Sequence, residues 1–258
     1  IIAARQELRY LVRTQFSGII EYQLMEKQKQ IRDLLEQEIK VSQYSMLYEI
    51  LLLRYWKNGI VRSQQEITQL NDLLLEEYQL LNTHGEKSFE WQQIHLQFQS
   101  TYFQMIGNPE GNPNVFYELH ALFQKNERLW SDTPLSYFYV LDGILNDLRW
   151  MGRYEEMEFF MDRMTIISST SENLDTLVKF STMRHSLNRY VDEGKFVEGA
   201  QFLKSNAVDI RKEARQLPFH MHGQLMFAIV RVWTMTENYS AALKIINSML
   251  NQPVSSTN

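Results

Sequence analysis

Histidines, paired carboxylates and a spaced set of amides and arginines are the residues here whose types and spacings could do chemistry. The six histidines are dispersed along the chain. His220 and His222, in "HMH", form the one pair close enough to suggest metal ligation. Residues two apart on a helix do not share a face, so ligation there needs an irregular segment after Pro218; the simpler reading is the start of a helix. Glu155 and Glu156 fall where a helix begins, and carboxylates favour that end of the helix dipole. They read as caps and surface rather than as general acids. Gly-x-Ser-x-Gly, His-Glu-x-x-His and a phosphate-cradling glycine loop are missing from the sequence. Zero cysteines remove disulfides, thiolate nucleophiles and every Cys-ligated metal site. No cofactor and no metal is expected, and the chain reads as non-enzymatic. Asn146 and Asn188 are of a different kind: two amides 42 residues apart, each able both to donate and to accept a hydrogen bond.

The elements that carry these residues read as helices. Glycine (10) and proline (5) are scarce, which favours long helices over a sheet with many turns. At 258 residues and 44% hydrophobic content, the chain can bury a substantial core. Residues 3–39 show apolar positions at Leu8, Leu11, Val12, Phe16, Ile19, Ile20, Leu24, Ile31, Leu34, Leu35 and Ile39, at helical spacing, with a bend or break at Ser17-Gly18. Further on, helices alternate with breaks at Asn58-Gly59, Thr83–Lys87, Gly107–Asn114, Ser131–Pro134, Met151–Tyr154, Ser168–Asn173, Gly194–Phe196, Leu217-Pro218 and Glu237–Tyr239. The expected fold class is all-α.

The breaks repeat. "GRYEEMEFF" from Gly152 is echoed by "GKFVEGAQFL" from Gly194 and by "ENYSAALKII" from Glu237. Tyr154, Phe196 and Tyr239 are 42 and 43 residues apart; Met157, Gly199 and Ala242 follow three later, and Met161, Leu203 and Ile246 four beyond those. Self-similarity of this kind marks stacked helical hairpins. The pattern resembles the tetratricopeptide repeat: an apolar first helix, a Gly-x-Tyr turn, a small residue and an apolar second helix. The resemblance covers residues 133–251 well, and Gly59 and Gly107 occupy the turn slot of looser hairpins before them. The chain departs from the family in a period longer than the roughly 34 residues of the standard repeat. It also lacks the early tryptophan and glycine of the first helix, where Leu141 and Leu145 stand, so the reading is a divergent array with elongated helices and the alternative is a generic α-solenoid.

The resemblance implies a right-handed α-α superhelix of stacked antiparallel hairpins whose first helices line a concave groove. The expected organisation is an N-terminal helical segment at 1–40 packing on the array, degenerate hairpins at 41–132, three hairpins at 133–251 and a flexible tail at 252–258. In the family, an asparagine in the first helix holds the backbone of an extended peptide. Asn146, Asn188 and Arg231 stand eight residues before the three turn aromatics. With Asp142 and Arg184 one turn earlier and Arg149 one turn later, they are the expected groove residues. The alternative use of the two asparagines is to bridge adjacent hairpins.

The function expected is a non-enzymatic interaction module or scaffold that binds a protein or peptide. A second reading is the ligand-sensing half of a bacterial peptide-responsive regulator whose DNA-binding domain lies outside this chain; an enzyme on a helical scaffold is the third. Self-association is a further expectation, with the N-terminal helix as the contact surface. The net charge of −5 comes with no basic stripe for displacing counterions from phosphates, so no direct nucleic-acid contact is expected. Apolar runs such as Ile50–Leu53 and Leu225–Val230 are far too short to span a bilayer, and no signal-peptide pattern precedes them. The expected location is the cytoplasm. The start at Ile1 reads as a piece cut from something longer.

Overall fold

A computed structural model of the chain describes residues 2–82, 87–108, 111–132, 134–167, 171–207, 210 and 214–251. Among the described residues the fold is all helix, without a strand. The expected tail, 252–258, and parts of the breaks expected at Thr83–Lys87, Gly107–Asn114 and Ser168–Asn173 lie outside them. The chain divides into two compact units, Ile1–Asn126 and Glu127–Asn258.

The first unit holds α1 (Ile2–Arg13), α2 (Glu21–Asn58), α3 (Gln64–Leu81), α4 (Phe89–Met105) and α5 (Asn112–Lys125). With no glycine or proline between Glu21 and Asn58, nothing stops α2, and it runs straight through the boundary expected at 40/41. That boundary is one of packing instead: the buried residues of α2 begin at Val41, while α1 buries none. Tyr44, Leu47 and Leu51 then close a core with Leu70 and Leu73 of α3 and with Trp91, Ile94 and Phe98 of α4. The α3 start is set by Ser63, whose hydroxyl accepts from the Glu66 N–H while the Glu66 carboxylate accepts from the Ser63 N–H.

The second unit holds α6 (Glu127–Trp130), α7 (Leu135–Trp150), α8 (Tyr154–Ile166), α9 (Glu172–Asp192), α10 (Phe196–Ser205), α11 (Phe219–Met235) and α12 (Tyr239–Leu250). It begins six residues earlier than the 133 read from Pro134, because Trp130 on α6 packs against Tyr137, ring centroids 4.6 Å apart. α10 stops well short of Leu217-Pro218, where the Asn206 side chain folds back onto the Phe202 carbonyl at 2.8 Å and caps it.

The three repeated turns are the same structure. Gly152, Gly194 and Glu237 all have positive φ, at 70°, 75° and 58°. Each N–H bonds the carbonyl three residues back, and the next N–H reaches five back: Arg153 to Leu148 at 2.9 Å, Lys195 to Tyr190 at 2.8 Å, Asn238 to Trp233 at 2.8 Å. Orphan carbonyls at the end of the first helix are thereby satisfied, and the chain reverses at once. Glycine adopts this backbone freely; Glu237 adopts it against its Cβ. Past each turn, Met157, Gly199 and Ala242 are buried. The space at Gly199 is tight: a Cβ there meets the Tyr190 Cβ at 3.1 Å and Val232 at 3.5 Å. The packing repeats with the turns. α7 packs on α8 and α9, α9 on α10 and α11, and α11 on α12.

Candidate functional site

α7, α9 and α11 occupy equivalent places, so their residues can be read in columns. Fifteen, twelve, eight and four residues before the turn aromatic stand Tyr139, Asp142, Asn146 and Trp150 on α7. The same columns hold Ser181, Arg184, Asn188 and Asp192 on α9, then Gln224, Phe227, Arg231 and Met235 on α11. Steps of three and four put each set on one face of its helix.

Two ionic networks tie these faces together. In the first, the Asp142 carboxylate accepts from the Ser181 hydroxyl, from Arg184 Nη2 at 2.6 Å and from His185 Nε2 at 2.9 Å. Arg184 Nη1 continues to Gln224 on α11. Arg184 is buried, and the His185 side chain is fully so. Burial alone would push the Asp142 carboxyl up, but His185, Arg184 and Ser181 together hold it well below the usual carboxylate range. His185 is moved the other way by burial, to a pKa lower than that of a free imidazole, so it stays neutral at pH 7. Its Nδ1 and the Arg184 Nε are buried and carry no hydrogen bond among the described residues.

In the second network, Asp192 on α9 takes Arg149 of α7 at 2.5 and 3.2 Å and Arg231 of α11 at 2.8 Å. Arg231 also donates to Asn188 Oδ1 at 3.0 Å. Burial opposes ionisation of Asp192, and the two guanidiniums outweigh it, leaving its pKa lowered.

Five of the six residues singled out in the sequence, Asp142, Arg149, Arg184, Asn188 and Arg231, are therefore engaged with neighbouring helices rather than standing open to a groove. Asn188 does bridge adjacent hairpins, through Arg231. Asn146 does not: its Nδ2 donates to the Asp142 carbonyl of its own helix at 2.9 Å. Neither amide is used up. Asn146 Oδ1 and Asn188 Nδ2 make no hydrogen bond among the described residues. Comparison of the chain with family models, curated proteins and solved structures finds no match.

Ser181, His185, Asp192 and Gln224 escaped the reading of the sequence, although each lies 39–43 residues from its partner, close to one period. His220 and His222 fall in the first turn of α11, and among the described residues no three potential ligands come together for a metal. Glu155 and Glu156 occupy the first turn of α8. A pocket of about 220 Å³ is lined by Glu158, Met161, Ser186, Arg189, Tyr190, Glu193 and Lys195. Its charges pair among themselves, Arg189 with Glu158 at 2.7 Å and with Glu193 at 3.0 Å, and Lys195 with Glu193 at 2.7 Å.

A separate polar cluster sits in the core of the first unit. The Tyr44 hydroxyl lies 2.6 Å from both Glu77 Oε1 and His95 Nδ1, and that nitrogen lies 2.9 Å from the same carboxylate oxygen. The His95 ring stacks on Trp91 at 5.5 Å, and its Nε2 lies 3.1 Å from the Gln99 amide. A proton on Nδ1 satisfies both contacts, donating to Glu77 while Nε2 accepts from Gln99. Burial, with the Glu77 carboxylate beside it, pushes the Tyr44 hydroxyl pKa far up, so it stays protonated and donates to Glu77. Among the described residues, no helix is long and apolar enough to cross a membrane.

Proposed function

We propose that residues 133–251 form a superhelical array of tetratricopeptide-like hairpins, and that this array is a non-enzymatic module binding an extended peptide along α7, α9 and α11. The observation that carries the reading is the pair of half-used amides. Asn146 keeps its acceptor and Asn188 keeps its donor, at equivalent positions of two successive first helices. One takes a peptide N–H and the other gives to a peptide carbonyl. The amide orientations follow from chemistry, since Asn188 Oδ1 faces a guanidinium and Asn146 Nδ2 faces a carbonyl. The networks around Asp142 and Asp192 fix the helices and so lower the ordering cost of binding. Aromatic and apolar side chains in the same columns are exposed at either side: Tyr139 and Trp150 on α7, Phe227 and Met235 on α11. The ligand that fits is a linear peptide with apolar side chains flanking the held peptide bond.

Selection of displayed random linear peptides on the purified chain tests the reading. The peptides enriched on the wild-type chain should bind the Asn146→Ala/Asn188→Ala variant at least about tenfold more weakly, the loss of one to two net hydrogen bonds, with circular dichroism unchanged. Equal affinity for the double variant, or no enrichment of linear peptides, overturns it.

A further inference from the structure

The crease between α8 and α9 departs from the repeat around it. α10 packs on α11 as α8 packs on α9, so the two creases can be compared position by position. Four and seven residues past its turn aromatic, α10 carries Ala200 and Leu203; ten and seven residues before the next one, α11 carries Ile229 and Val232. All four are apolar and buried. At the same four positions the first crease has Glu158, Met161, Ser186 and Arg189, and it holds the pocket of about 220 Å³. The hairpins therefore pack without polar groups here, and those of the first crease are free to serve something else. About α9 the pocket is turned roughly 140° from the column of Asn188, so it is separate from the peptide site.

The charges in the pocket balance, Arg189 and Lys195 against Glu158 and Glu193. Lys195 and Arg189 hold the Glu193 carboxyl below the usual carboxylate range, so it is ionised at pH 7. Hydrogen-bonding capacity is left over on both sides. Arg189 uses Nη1 and Nε, and its Nη2 makes no hydrogen bond among the described residues. Nor does the Tyr190 hydroxyl, and Glu158 engages only Oε1. A lone anion or cation entering here meets both signs at once and gains little net attraction; a ligand carrying both leaves the balance intact. The volume lies below the roughly 300–1,000 Å³ of pockets for drug-sized ligands, and Met161 supplies an apolar wall. We infer that this pocket binds a free α-amino acid with an apolar side chain. Its carboxylate takes Arg189 Nη2 and the Tyr190 hydroxyl, its ammonium takes the open Glu158 oxygen, and its side chain lies on Met161.

Isothermal titration calorimetry of the full chain with L-valine, L-leucine, L-methionine and L-phenylalanine tests the inference. At least one should bind with a Kd of about 1 mM or tighter. The amine and the carboxylic acid that keep the side chain of the tightest binder and one charge each should bind at least about tenfold more weakly. Glu158→Gln and Arg189→Gln should each cost at least about tenfold in affinity. Glu158 is 64% exposed, so its variant keeps the fold. Glu158→Ala/Arg189→Val writes the residues of the second crease into the first; it should fold, by circular dichroism, and lose binding. Asn146→Ala/Asn188→Ala should bind the amino acid as the wild-type chain does. No binding of the four probes at about 10 mM, single-charge analogues that bind equally, or affinity indifferent to Glu158→Gln overturns the inference. Loss of binding in Asn146→Ala/Asn188→Ala overturns it too, by placing the amino acid at the peptide site.

Discussion

The two units bury polar side chains by different rules. In the first, Tyr44, Glu77 and His95 meet across sequence separations of 33, 18 and 51 residues, which share no period. In the second, every inter-helix bond around Asp142 and Asp192 spans 39–43 residues, close to the distance between successive turns. A cluster in a repeat is thus assembled by the repeat itself, since whatever places Asp142 opposite Arg184 also places Asn188 opposite Arg231. A cluster outside one depends on the particular three helices that meet there.

The contrast can be broken most sharply at the carboxylates. Asp142→Ala leaves a buried guanidinium and a buried imidazole without their shared acceptor, and should cost the second unit about 3 kcal/mol in urea unfolding. Tyr44→Phe in the first unit leaves Glu77 with the His95 proton and should cost less, about 1–2 kcal/mol. A larger loss from Tyr44→Phe would mean that the irregular cluster, not the repeated one, is the more tightly coupled.

Acid sharpens the same comparison. His185 has a folded pKa below its unfolded value of about 6.5, so the unfolded chain binds the extra proton first. Its contribution is complete above about pH 6.5 and is lost as the pH falls below it, at no more than about 1.4 kcal/mol per pH unit. Asp142 adds a second loss of the same sign only below about pH 4, as its carboxylate begins to protonate in the unfolded chain. His185→Gln should flatten the first of these two slopes; an unchanged slope between pH 6.5 and 5 would show that other groups set it.

The smallest effect lies in the turns. Glu237→Gly should stabilise the third hairpin by about 1 kcal/mol, because the positive φ there strains a residue with a Cβ, whereas Gly152→Ala and Gly194→Ala should destabilise theirs by a similar amount. Thermal unfolding of the three variants checks the order.

These differences also explain what could be read from residues alone. The turn geometry was legible because Gly152-Arg-Tyr and Gly194-Lys-Phe must satisfy the same orphan carbonyls with the same backbone, and Glu237-Asn-Tyr kept the aromatic while dropping the glycine. The columns on α7, α9 and α11 were legible for the same reason. Their use was not: Arg149 and Arg231 read as ligand contacts because Asp192, the carboxylate that holds both, lies at the edge of its helix and shows no pattern of its own. Tyr44, Glu77 and His95 left no trace at all, since long-range packing without a period writes nothing into local spacing. The continuity of α2 could be read from its lack of glycine and proline, but the point at which it becomes buried is decided by α3 and α4.

The central claim, that Asn146 and Asn188 read a peptide bond, is tested most directly in the ligand backbone. N-methylation is scanned along a selected peptide and affinities are measured against the wild-type chain and Asn146→Ala. One position should lose about tenfold on methylation with the wild-type chain and nothing with Asn146→Ala, because the methyl removes the N–H that the free Asn146 Oδ1 accepts. The same penalty in both proteins at every position would contradict the claim.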